Sequence, residues 1–198
     1  NKARVIYQSS MSPAQNHSES HDFFDICVIG HLRKVKDPFR TAQASRLLPS
    51  TSKIRINHVG RSLSDEMTRL AEHEMQENSR YIWHKEMTYE ETQSLLASCR
   101  LLVLSSLSEG GANVVSEALT AGVPIIASRI SGSVGLLGDD YSGYFQPGDT
   151  NALAELLMKA ENQSDFFNHL KAQGANASKK FFPEIEKSSW KDLLSEIK

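Results

Sequence analysis

The sequence predicts an α/β fold built on a doubly wound parallel sheet with helices on both faces. Short runs rich in Val, Ile and Leu recur at residues 24–29, 54–59, 101–104 and 123–128. They are nearly continuous in apolar residues and do not alternate, as expected of strands covered on both faces. Helical patterns separate them, the order that a parallel sheet with crossover helices requires. The chain has 198 residues, 39% of them apolar, which suits one core of ordinary size.

Each element has a local reason. Val5, Ile6 and Tyr7 form a short apolar run that reads as the end of something upstream, so the chain is expected to be an excised domain. Residues 9–22 are polar and read as a linker. After the first strand, Asp37 and Pro38 look like an N-cap and a first helical proline, opening a helix to about Leu48. Residues 62–78 form a charged helix with Met67, Leu70, Ala71 and Met75 on one stripe. A third strand falls at residues 81–83, and Thr88 with Glu91 makes a capping box for a helix ending near Cys99. A helix starts near Asn113 and stops at Gly122. Residues 143–145 supply a sixth strand, and residues 149–161 a helix with Leu153, Leu156 and Leu157 inward. At the C-terminus Trp190, Leu193, Leu194 and Ile197 follow helical spacing.

Composition excludes several classes. A formal charge of −2 gives no bulk attraction to nucleic acid or to an anionic membrane. No apolar run approaches the ~20 residues of a membrane span, and no signal peptide is read at the start. Cys27 and Cys99 sit in or beside apolar segments and read as reduced core thiols, which favours a cytoplasmic location. No His-x-x-x-His spacing, Asp-x-Asp, Walker A loop or Gly-x-Ser-x-Gly elbow occurs, so no metal and no cofactor is expected.

Two turns carry the chemistry. In residues 106–128, Glu109 is followed by Gly110, Gly111, Ala112 and a helix from Asn113, with Glu117 one turn inside it. Carboxylates accept hydrogen bonds from sugar hydroxyls, and free N–H groups at a helix start attract anions. Glycines let a ligand approach the backbone. The layout suits a sugar joined to a diphosphate; the bland alternative is two solvated glutamates beside a turn. The second turn runs Gly30, His31, Leu32, Arg33, Lys34, Val35, Lys36. Arg33, Lys34 and Lys36 would favour a diphosphate and steady the charge it gains on leaving; alternatively this is an exposed basic loop. Trp83 and His84 read more readily as core and surface residues than as base contacts. A glycosidase would need carboxylates on both sides of the scissile bond, and this spacing does not supply them.

Glu109 and Glu117, with the Ala-Leu-Thr-Ala-Gly-Val-Pro-Ile-Ile-Ala-Ser stretch that follows, resemble the E-x7-E element of GT-B glycosyltransferases of the family 4, or group 1, type. The resemblance covers nearly the whole chain and identifies it with the C-terminal half of a Rossmann-like GT-B fold. It implies an interdomain segment over residues 1–22, a nucleotide-sugar donor-binding domain over 23–180, and a final helix over 181–198 that crosses to a missing N-terminal acceptor domain; the alternative is an amphipathic helix packed on its own domain. It implies that Glu109 binds the donor sugar and Glu117 the ribose, with Gly110, Gly111, Ala112 and Asn113 at the sugar and phosphates. Gly30, His31, Arg33 and Lys36 would face the diphosphate, Glu109, Lys36 and Arg33 being the catalytic group. The sequence departs from the family's Gly-Arg-Leu-x-x-x-Lys at His31, and residues 131–138 replace the usual Gly-Gly-x-x-Glu. Gly-His-Leu-Arg, Glu-Gly-Gly-Ala-Asn-Val-Val-Ser-Glu-Ala-Leu and Val-Gly-Leu-Leu-Gly are similar to a bacterial subfamily, the selenosugar synthases of selenoneine biosynthesis. These join a sugar from a UDP-sugar to selenium supplied as selenophosphate. The expected activity is therefore metal-independent transfer of a sugar, with an epimerase or phosphorylase on the same fold, or a non-catalytic nucleotide-sugar sensor, as the alternatives.

Overall fold

In the computed structural model, which describes residues 4–10 and 22–196, a six-stranded parallel sheet carries helices on both faces. The strands are β1 (Phe24–Ile29), β2 (Ile54–Val59), β3 (Tyr81–Trp83), β4 (Leu101–Leu104), β5 (Ile125–Ser128) and β6 (Tyr144–Phe145). Their spatial order is β3-β2-β1-β4-β5-β6, every neighbouring pair parallel. The helices are α1 (Arg40–Ser45), α2 (Asp65–Glu77), α3 (Tyr89–Ser98), α4 (Asn113–Thr120), α5 (Ser131–Leu137), α6 (Thr150–Asn162), α7 (Ser164–Ser178) and α8 (Pro183–Glu196). The central strands are buried along their whole length in β4 and β5, as their unbroken apolar runs require.

Most elements form where the sequence places them. Thr88 and Glu91 make both bonds of the capping box at α3. Asp149 caps α6 by accepting from the Ala152 N–H. The charged helix starts later than predicted, at Asp65, because Ser64 is the residue that caps it. Cys27 and Cys99 are buried free thiols, and contact with Cys99 together with burial pushes the Cys27 thiol up.

The helix expected to open at Asp37 begins instead at Arg40 and ends at Ser45. Residues 34–36 form a 3-10 turn, and Asp37 leaves it in the left-handed region at φ 45°. Its carboxylate accepts from Arg40 Nε at 2.7 Å and caps no helix. A tertiary demand overrides the local signal, because the turn is bound from below by the chain that follows β4. Helix α5 occupies the segment that departs from the family pattern. Helix α7, which the polar sequence hides, packs on α4 at Gly174, where a Cβ would lie 3.3 Å from Leu119 Cδ2.

Residues 4–10 run beside the C-terminal helix. The Tyr7 ring meets Phe181 edge-on, Ser9 N–H donates to Glu186, and Arg4 pairs with Glu196. Helix α8 buries none of its described side chains, leaving Ile185, Trp190 and Leu194 47%, 49% and 59% exposed. Most of the expected linker, and Ile197 of the apolar stripe, lie outside the described residues.

Below the carboxyl edge of the sheet, Gly60 lies so close to β1 that a Cβ there would collide with the Gly30 carbonyl. His58, buried on β2, hydrogen-bonds that same carbonyl through Nε2 at 3.2 Å and Tyr81 Oη through Nδ1 at 2.8 Å. A carbonyl only accepts, so Nε2 carries the proton and Nδ1 accepts from the Tyr81 hydroxyl. Burial holds the His58 imidazole down at about 4, with His84 pushing the same way against the Gly30 bond. The unfolded chain therefore takes up a proton first. Stability contributed by neutral His58 is complete above about pH 6.5 and is lost as pH falls toward 4, by up to about 3 kcal/mol. Urea unfolding of the protein and of His58→Gln across that window should show a smaller acid loss in the variant; parallel curves would refute this role.

Candidate functional site

Because β1 and β4 are parallel neighbours, the turns that follow them lie side by side. The chain order reverses between these strands, and in open sheets of this kind the crevice there receives ligands. A small cavity at this point is lined by Gly30, Lys36, Pro38, His58, Ser105 and Ser106, among others.

The two turns are bound to each other. The Ser105 hydroxyl is shared between the carbonyls of Lys36 and Asp37, at 3.2 and 2.9 Å. Leu107 N–H donates to the Val35 carbonyl at 2.8 Å. Across this seam the Lys36 ammonium pairs with the Glu109 carboxylate, the two side chains only 18% and 14% exposed. Ser106 donates to the same oxygen, Oε1, at 2.8 Å, and Ser128 holds the Ser106 carbonyl at 2.6 Å. Glu109 thus has a fixed orientation, and nothing among the described residues bonds its Oε2.

Gly110 and Gly111 are exposed, and a Cβ on either would meet nothing within 4 Å. Gly111 at φ 158° has a backbone that side-chain-bearing residues rarely adopt. Packing calls for glycine at neither position and strain calls for it only at Gly111, and the missing side chains leave open space above the turn. Ala112 is the N-cap of α4 and supplies no side-chain cap, so the amides of the first turn from Asn113 have no side-chain partner there. Glu117, half-buried one turn inside α4, accepts from Gln93 Nε2 of α3 at 2.9 Å.

The structure therefore brings Gly30, Lys36 and Glu109 together, and puts the Gly110–Asn113 turn next to them. Arg33 and Lys34 project into solvent from the same basic turn, with no carboxylate partner among the described residues. His31 is also exposed; its Nδ1 accepts from Arg61 N–H at 3.2 Å, so its remaining donor is Nε2–H. Trp83 is a core residue whose Nε1–H donates to the Gly60 carbonyl at 2.8 Å. His84 binds Asn57 Oδ1 at 2.9 Å, and burial beside Arg55 lowers its imidazole.

Sequence reasoning missed Gln93, Ser105, Ser106, Ser128, His58 and Gly132. Single polar residues among strands and helices carry no motif; only their placement reveals them. Among the described residues there is no cluster of three or more His, Cys, Asp or Glu side chains able to hold a metal ion. Nor is any described helix long and apolar enough to cross a membrane.

The fold and the crevice define a parallel doubly wound domain whose ligand edge is built from carboxylates, cations and a glycine turn. A family model described as glycosyl transferases group 1 matches residues 13–180, and the chain belongs to that family. It is 30% identical over 95 residues to an uncharacterized glycosyltransferase of Methanocaldococcus jannaschii, MJ1178, covering 48% of this chain and 27% of that protein. It is 26% identical over 145 residues to glycosyltransferase 1 domain-containing protein 1 of Xenopus tropicalis, covering 72% of this chain and 42% of the relative. The chain thus spans less than half the length of these relatives. Among solved structures, Anabaena Alr3699/HepE in complex with UDP superposes with a TM-score of 0.77 at 19% identity, over 88% of this chain and 49% of that one. The same protein with UDP-glucose gives 0.75 at 18% identity, with the same coverage of both chains. At such identity the likeness is one of fold.

Helix α5 offers a test of how Glu109 is held. A Cβ on Gly132 would collide with the Glu109 carbonyl, whereas one on Gly135 meets open space. Gly132→Ala should destabilise by about 1–3 kcal/mol through overpacking. Gly135→Ala should be neutral or stabilise by up to about 1 kcal/mol through helix propensity. Equal unfolding midpoints in denaturant would show that the approach to Glu109 is not tight.

Proposed function

We propose that this chain is the donor-binding domain of a glycosyltransferase that moves a sugar, of hexose type, from a nucleotide diphosphate to an acceptor. UDP is the nucleotide this reading favours, in keeping with UDP and UDP-glucose bound to the structural relatives. The observation that carries it is the Lys36–Glu109 pair across the β1/β4 crevice, set beside a glycine turn with open space above both glycines.

In this reading the bond between the sugar's anomeric carbon and the β-phosphate oxygen breaks, and the diphosphate departs with added negative charge. Lys36 has three donors, so one ammonium can hold Glu109 and a phosphate oxygen together. Arg33, exposed on the same turn, supplies the second cation, and the uncapped start of α4 a third source of positive potential. His31, standing where the family has arginine, contributes an Nε2–H donor. Gly30, Gly110, Gly111, Ala112 and Asn113 bring backbone close to the sugar and phosphates. Glu109, oriented by Lys36 and Ser106, takes sugar hydroxyls; Glu117, oriented by Gln93, takes those of the ribose. These cations and dipoles do the work that a divalent ion does elsewhere, so transfer proceeds without metal.

The acceptor enters from an N-terminal domain outside this chain, and the apolar stripe of α8 packs against it. The enzyme works in the cytoplasm, and this domain alone binds nucleotide weakly and transfers nothing. The motif likeness to selenosugar synthases supports selenophosphate as acceptor. Mass spectrometry after supplying the full-length protein with a UDP-sugar and selenophosphate should find a selenium-bearing sugar; its absence, with transfer to another acceptor, would reject that choice.

Calorimetric titration with UDP of the protein, Lys36→Ala and Glu117→Ala tests the site. Each variant should bind about tenfold or more weakly, the size expected for losing a charged hydrogen bond. Affinity unchanged in both would mean that the nucleotide does not lie across the two turns.

A further inference from the structure

Gln93 is 6% exposed, on the face of α3 that meets α4. A carboxylate only accepts hydrogen bonds, so the amide must present Nε2 to Glu117. That orientation turns Oε1 inward, where it is buried with no hydrogen-bond partner. A buried acceptor left unmade is costly, and a buried unpartnered polar atom in a folded protein needs a reason. Leucine would fill the position without that cost.

From this geometry we infer that Gln93 is a positioning residue for the nucleoside end of the donor: it locks the rotamer of Glu117 so that the carboxylate meets the ribose hydroxyls. The inference rests on the nucleotide site proposed above. Glu117 is half-buried on a helix and, without Gln93, has no side-chain hydrogen-bond partner among the described residues. A carboxylate free to rotate would have to be ordered by each incoming ribose, and that ordering subtracts from affinity. The unpartnered Oε1 is thus a stability cost accepted for preorganisation, a trade common at functional sites.

The full-length protein, Gln93→Leu and Glu117→Ala are titrated with UDP and with 2′,3′-dideoxy-UDP, and their melting temperatures are measured. Gln93→Leu should weaken UDP by about five- to tenfold, while leaving its melting temperature unchanged or raised. Dideoxy-UDP, which lacks the ribose hydroxyls, should bind both variants as it binds the unaltered protein. If Glu117→Ala weakens UDP and Gln93→Leu does not, the positioning role is refuted and the site stands. A lowered melting temperature with unchanged UDP affinity would make Gln93 merely structural, and equal losses for both ligands would place its effect elsewhere. If Glu117→Ala leaves UDP affinity intact, the site reading itself falls, and this inference with it.

Discussion

The site depends on the apposition of two turns at the point where the strand order reverses. Parallel pairing of β1 with β4 brings Gly30 and Ser105 to the same edge, and everything beyond follows from how the two chains are then tied. Ser105 holds the carbonyls of Lys36 and Asp37, and Leu107 holds that of Val35. These bonds force the basic turn to wrap over β4 before a helix can start. The left-handed Asp37 and the delayed α1 are consequences of that seam. The Lys36–Glu109 pair is the outcome, an ion pair sheltered enough to keep both groups oriented.

Supports for this seam lie one layer down, and they are polar. His58 and Gly60 fix the Gly30 carbonyl, Ser128 fixes that of Ser106, and Gly132 lets α5 come against the backbone of Glu109. Buried hydrogen bonds of this kind add little net stability each, yet leaving one unmade is expensive, so they specify geometry more than they hold the fold together. The apolar core supplies the cohesion, and this ring of small and polar residues sets where the charges point.

Much of the candidate site was legible because its residues are close in sequence. Glu109, the two glycines and Glu117 stand within nine residues, and Gly30 to Lys36 within seven. Motifs of that kind survive in a linear reading because strand, turn and helix follow one another directly. The supports were not legible. Gln93 lies twenty-four positions from Glu117, and Lys36 seventy-three from Glu109. A lone Gln on a helix or a lone Ser after a strand carries no signal until the partner is placed beside it.

The sequence by itself determined the strands, their parallel arrangement and the identity of the two turns, since these follow from apolar periodicity, capping residues and glycine placement. It also misdirected: Asp37-Pro38 is a sound helix start by local rules, and the helix does not start there. Tertiary structure alone decided that Lys36 meets Glu109, that Gln93 gives its amide to Glu117, and that the Trp83 indole bonds the Gly60 carbonyl. The reason is physical. Local propensities are worth a few tenths to about 1 kcal/mol per residue, and a buried polar group left unpaired costs more. Where the two conflict, long-range pairing wins, and no window of sequence contains it.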